Sequence, residues 1–210
     1  MPSIRDTIDG QQLSLVIGGV KAYNLDNLYS KKGAEEHFTE FIGFKVKVCT
    51  NLCVLSDGLS SEIRVSNLEQ LRFAVYQLVR SFDAITQLKA MEALQNYSLT
   101  ELQFAQLIGR CKMYQHLPAG LKQEIPELQF GDSQINAVCK DYYRDNSFCK
   151  DEVGDISLWK LYNLFTAANK NSYIDIFMDR AVNASFFVFG IAQALEHKEN
   201  NWFIGKIRDN

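Results

Sequence analysis

The sequence predicts an α+β fold, in which a small antiparallel sheet near the N-terminus precedes a mostly helical C-terminal part. Two observations carry this prediction. Apolar residues alternate at every second position before residue 60, and they recur at spacings of three and four after residue 66. The chain has 210 residues, a length that suits one domain. We therefore expect a single domain over 1–210, with a strand-rich part at 1–60 and a helical part at 66–205.

The first clear strand is predicted at 13–17, where leucines, a valine and an isoleucine cluster. Gly18 and Gly19 follow directly, and glycines inside a strand pattern indicate a bulge or a turn. We therefore expect the regular strand to be interrupted there. The polar stretch that follows could hold a short helix at 32–37.

A second strand is predicted from 41 to 54, where polar and apolar residues alternate strictly. Such alternation is typical of a strand with one buried face and one face in water. The residues expected in the core are Ile42, Phe44, Val46 and Val48, and those expected on the solvated face are Gly43, Lys45, Lys47 and Cys49.

A long helix is predicted from Leu68 to Leu94, because apolar residues recur there at alternating spacings of three and four. The pattern suggests about 30 helical residues, or about 45 Å at 1.5 Å per residue. A helix of this kind either packs against the sheet as part of the core or forms a contact between subunits. The second interpretation predicts self-association through the Leu68–Leu94 helix.

Two of the remaining helices are indicated by their caps. Thr100 with Gln103 forms a capping-box pattern for a helix that runs to His116, because Pro118 follows. Ser157 caps a helix at 158–170. The other segments predicted are a loop at 118–131, a helix at 133–143 and a last helix at 173–195.

Charge and cysteine content restrict the function. The net charge is −3, from 22 basic and 25 acidic residues, so binding to nucleic acid would need a local basic patch. The N-terminus has no apolar signal sequence, and the most apolar stretch, 181–195, is too short to span a bilayer. We expect a cytoplasmic protein without membrane contact.

The five cysteines lack metal or disulfide spacing, so we expect free thiols, no metal and no cofactor.

Two patches are candidates for binding single-stranded nucleic acid. Lys45 and Lys47 share the predicted solvated face, about 6.6 Å apart at strand pitch, which suits neighbouring phosphates. At Tyr143 and Arg144 a base could stack on the tyrosine while the arginine holds a phosphate. The alternative for both patches is structural: a solubilising strand face, and a tyrosine half-buried beside the core.

Six stretches distributed over the chain carry a family resemblance. They are Ser3 to Gly10, Ile17 to Leu25, Val48 to Cys53, Phe104 to Arg110, Asp141 to Cys149 and Leu158 to Thr166. Together they resemble an uncharacterised bacterial family, a domain of unknown function carried on mobile elements, and more distantly other phage- or plasmid-like proteins. The resemblance implies no activity and no catalytic residues, and it implies family members that are longer at the N-terminus.

Three functions follow as hypotheses. The first is a non-enzymatic binding module of a mobile element that contacts single-stranded nucleic acid. The second is a protein that oligomerises through the Leu68–Leu94 helix or binds other proteins. The third is an enzyme with an unrecognised site. The sequence contains no phosphate-binding loop, no nucleophile elbow and no zinc-protease motif, which argues against the third.

Overall fold

The computed structural model describes residues 5–21, 37–47, 52–53, 60–64, 68–122, 125, 130–136, 156–172 and 177–205. The strands are β1 (Arg5–Ile8), β2 (Gln11–Lys21), β3 (His37–Val46), β4 (Leu52–Cys53), β5 (Ser60–Arg64), β6 (Ser98–Leu99) and β7 (Ile156–Ser157). The helices are α1 (Leu68–Ser81), α2 (Ala84–Ala93), α3 (Glu101–Lys112), α4 (Ala119–Lys122), α5 (Leu158–Asn169) and α6 (Phe177–Glu196). The predicted α+β architecture is confirmed.

The N-terminal sheet contains five antiparallel strands in which β3 is central. β2 pairs with β1 on one side and with β3 on the other. β4 and β5 both pair with β3, β4 near its C-terminal end and β5 near its start. Asp9 and Gly10 join β1 to β2 with positive φ angles of 49° and 71°, which is the backbone that a two-residue hairpin turn requires.

The predicted interruption at Gly18 and Gly19 is wrong, because β2 continues through both residues to Lys21. Gly18 lies opposite Phe41 of β3. A Cβ atom at Gly18 would collide with the Phe41 ring, so this glycine makes room for an aromatic side chain on the neighbouring strand.

The alternation in β3 is confirmed for the core residues and the two lysines, but Gly43, expected on the solvated face, is buried, because a glycine has no side chain to reach solvent from the middle of the sheet. Ile42 and Val46 are fully buried, whereas Lys45 and Lys47 are exposed.

The single strand expected at 41–54 is wrong, however. β3 ends at Val46, and the chain reverses so that Cys53 of β4 pairs with Phe44. Val48 and Cys49 lie outside the described residues. His37 belongs to β3 and not to a helix, and the rest of 32–37 is also outside the described part.

The continuous helix predicted from Leu68 to Leu94 is also wrong. α1 ends at Ser81 and α2 begins at Ala84. The side chain of Asp83 accepts hydrogen bonds from the backbone N–H groups of Ile85 and Thr86, both at 3.1 Å. Asp83 is therefore the N-cap of a new helix. Phe82, between the helices, has its ring 5.9 Å from that of Phe44.

The capping box of α3 is confirmed. The Thr100 N–H donates to Gln103 Oε1 at 3.0 Å, and the Gln103 N–H donates to Thr100 Oγ1 at 3.3 Å. α3 ends at Lys112, and a 3₁₀ turn follows at Tyr114–His116. The loop expected at 118–131 contains the short helix α4.

The cap predicted for α5 is confirmed. Ser157 Oγ accepts from the N–H of Lys160 at 3.4 Å and begins α5. α6 runs from Phe177 to Glu196. Residues 132–136 are helical, and the remainder of the helix expected at 133–143 lies outside the described residues, as do 173–176. Among the described helices, none is both long and apolar enough to cross a membrane.

One hydrophobic core joins the sheet to the helices. It includes Leu13, Phe44 and Cys53 from the sheet and Met91, Leu107, Trp159 and Phe165 from the helices. A smaller cluster packs Ile42 of β3 against Leu78 of α1 and Ala181 of α6. The helices therefore cover the face of β3 that carries Ile42 and Phe44. Lys45 lies on the opposite face.

Candidate nucleic-acid interface

The outer face of the sheet places Lys45 between two neighbouring strands. Its Cα pairs with that of Ser14 on β2 and that of Leu52 on β4. Its side chain is exposed. Because β3 is the central strand, this ammonium group projects from the middle of the sheet rather than from an edge.

Lys47 is the first residue after β3 and is held against β2 by two hydrogen bonds. Its backbone N–H donates to the carbonyl oxygen of Gln12 at 2.8 Å. Its Nζ donates to Oε1 of the same glutamine at 3.1 Å. An ammonium group has three donors, so this bond orients the cation and leaves capacity for a phosphate oxygen.

Phe41 shares the strand face of Lys45, but its side chain packs against the smaller core cluster that contains Ile42 and Leu78. Phe41 is separated from Lys45 by four residues, or about 13 Å along the strand. Its ring is half-buried and lies over Gly18. No sequence signal predicts the contact between this ring and Gly18, because that contact depends on the pairing register of β2 and β3.

Asp9 is an acidic residue at one end of this sheet. Asp9, in the turn between β1 and β2, is exposed. That turn lies at the end of the sheet where Leu13 pairs with Val46, beside Lys47. The carboxylate reduces the positive potential at that end, and Lys45 is the more distant of the two lysines from it.

Tyr143 and Arg144, the second predicted patch, lie outside the described residues. Of the predicted site residues, the structure brings together Lys45 and Lys47 on one surface. In the described part of the chain, no group of three or more His, Cys, Asp or Glu residues is placed to hold a metal ion.

The thiols that the structure describes are unsuited to nucleophilic chemistry. Cys53 and Cys111 are free and buried. Burial raises the pKa of each thiol to about 12. At neutral pH almost none of either cysteine is present as thiolate, which is the reactive form.

A second exposed surface lies on α1, at positions that the predicted apolar stripe of this segment does not include. Glu69, Phe73, Tyr76 and Arg80 are all exposed. Phe73 is 64% exposed and Tyr76 is 56% exposed, which is high for aromatic residues. Their spacing of four, three and four is a signal that the sequence itself contains.

The comparisons with known proteins give a family and no activity. The family model described as "Domain of unknown function, B. Theta Gene description (DUF3871)" matches residues 1–204. Neither a curated protein nor a solved structure matches the chain significantly. Since the match extends over almost the whole sequence, the chain belongs to this family of unknown function.

Proposed function

We propose that the protein is a non-enzymatic binding module whose outer sheet face contacts single-stranded nucleic acid. The observation that carries the proposal is the exposure of Lys45 and Lys47 on one surface. Phosphates need cations, and two ammonium groups at strand pitch suit neighbouring phosphates of a single strand.

The hydrogen bond from Lys47 to Gln12 supports this proposal because it orients one cation in advance. The central position of Lys45 supports it as well, because flanking strands make the surface broad. The cytoplasmic setting and the mobile-element context stay predictions from the sequence. Tyr143 and Arg144 stay candidates for a second contact.

The test is a fluorescence-anisotropy titration of a labelled, mixed-sequence single-stranded DNA oligonucleotide over a range of salt concentrations. Each phosphate neutralised contributes about 0.7 to the slope of log affinity against log salt. The variant Lys45→Gln/Lys47→Gln should therefore flatten the slope by roughly 1.4. It should weaken binding to all sequences alike, because phosphate contacts carry no sequence information.

The matched control is Lys89→Gln/Lys170→Gln, which removes the same charge from exposed positions on the helical part. We expect this control to keep the wild-type slope. Equal flattening in both double variants would show that net charge, and not the sheet face, controls binding. Absence of binding at low salt would reject the proposal outright.

The second candidate function is self-association through the segment 68–94. The exposed aromatic pair on α1, Phe73 and Tyr76, favours it, because apolar surface rimmed by polar residues marks protein interfaces. Leu68 and Ile85, which are 62% and 66% exposed, add exposed apolar surface in the same segment. Sedimentation velocity over a wide range of protein concentration tests this function.

A further inference from the structure

The outward face of α1 carries a stripe of four residues, Glu69, Phe73, Tyr76 and Arg80, that we call the outer stripe. At 100° per residue these four positions fall within about 60° of one another around the helix axis. The stripe points away from Leu78, which packs on Ile42 of the sheet. It is about 16 Å long from Glu69 to Arg80, at 1.5 Å per residue.

The charges on the outer stripe are arranged with opposite signs at its two ends. Glu69 lies in the first turn of α1 and Arg80 in the last turn. The guanidinium carbon of Arg80 is 5.9 Å from the centre of the Tyr76 ring, and Nη1 is 3.5 Å from the tyrosine hydroxyl. The arginine therefore extends along the stripe over its aromatic middle.

The outer stripe is complementary to itself when two copies run antiparallel. The midpoint between residues 69 and 80 coincides with the midpoint between residues 73 and 76. A two-fold axis at that point sets Glu69 opposite Arg80 at both ends and Phe73 opposite Tyr76 in the middle. The spacing of four, three and four is the spacing that packs two helices side by side.

We propose that α1 pairs with α1 of a second copy of this chain in an antiparallel, two-fold dimer through the outer stripe. The proposal rests on the second candidate function above and names its geometry. Arg72 is exposed beside the stripe, and it is the match of Glu69 to Arg80 under a two-fold axis that favours a second copy over a polyanion. A parallel pair would set Glu69 against Glu69 and Arg80 against Arg80. Because the stripe is short, we expect a weak and reversible dimer.

Charge reversal tests this geometry by sedimentation velocity. The single variants Glu69→Arg and Arg80→Glu each set like charges together at two symmetry-related pairs, so each should weaken the dimer about tenfold or more. The double variant Glu69→Arg/Arg80→Glu restores opposite charges at both pairs and should dimerise like the wild type. An equimolar mixture of the two single variants should form a heterodimer.

The control variant is Glu92→Arg, an exposed position on α2 outside the stripe, which should leave dimerisation unchanged. Circular dichroism melts of every variant check that the fold is intact, as expected for exposed positions. A wild-type protein that stays monomeric into the high micromolar range overturns both self-association and this geometry. If the wild type dimerises but the double variant does not, the antiparallel pairing is wrong and self-association itself still stands.

Discussion

The side chains of β3 show how far single residues could be assigned from the sequence. Val46 and Lys45 were placed correctly, because successive residues of a strand must point to opposite faces. The role of Gly18 could not be found in the same way. A glycine is needed at this position because the Phe41 ring of the neighbouring strand occupies the space of a Cβ atom. The register that brings the two residues together is a property of the folded sheet.

The two faces of β3 predict opposite responses to the same substitution. Val46 is fully buried, so Val46→Asp places an unpaired carboxylate in the core and should cost about 3 kcal/mol or more. Lys47→Asp removes an exposed hydrogen bond to Gln12 and should cost less than about 1 kcal/mol. Urea unfolding of both variants measures the difference in free energy of unfolding. Similar losses would show that the buried and exposed faces of the strand are assigned wrongly.

The break between α1 and α2 shows why the boundaries of elements were harder to assign. Leu78, Phe82 and Ile85 keep the helical spacing across the break, so the apolar pattern alone predicts one helix. The sequence signal for the break was Asp83, since an aspartate is among the best N-cap residues and is a poor residue inside a helix. Caps predicted from the same chemistry at Thr100 and Ser157 were correct.

Asp83 predicts a pH-dependent contribution to stability. The hydrogen bond from the Thr86 N–H, followed by that from the Thr86 hydroxyl, holds the pKa of Asp83 below its ordinary value of 3.8. A carboxyl group whose pKa is lower in the folded protein stabilises it above the unfolded pKa. That stabilisation disappears as the pH falls through the folded pKa.

We therefore expect Asp83→Ala to lower the free energy of unfolding at neutral pH, and the loss to shrink once the solution is acidic enough to protonate the wild-type cap. Asp83→Asn should keep most of the cap without titrating. Thr100→Ala is the comparison, with a loss of about 1 kcal/mol that does not depend on this titration. Urea unfolding at neutral and acidic pH measures all three, and a loss for Asp83→Ala that is independent of pH would contradict the prediction.

At the scale of the molecule, the sequence predicted where strands and helices occur but not how the sheet packs against the helices. A strand-rich start and a helical remainder follow from the change of period near residue 66. That Cys53 from the sheet and Cys111 from α3 belong to one core depends on contacts between distant segments. The single domain expected over 1–210 stays a prediction.

The two buried thiols provide a test of that domain prediction. With pKa values of about 12, Cys53 and Cys111 should resist iodoacetamide in the folded protein. If the sheet and the helices unfold together, both should become reactive over the same range of urea concentration. Peptide mapping by mass spectrometry follows each site. Labelling of Cys53 at clearly lower urea than Cys111 would show that the sheet opens as a separate unit.

The unequal lengths of β1 and β2 have a consequence for aggregation. β1 pairs only with Gln11–Ser14 of β2, although β2 continues to Lys21. From Leu15 onward, that side of β2 has no partner among the strands the structure describes. An open strand edge is a template on which another molecule can add a strand. Gly18 and Gly19 occupy the middle of this edge, and glycine has low β propensity. The glycine that makes room for the Phe41 ring thus also lowers the β propensity of this edge.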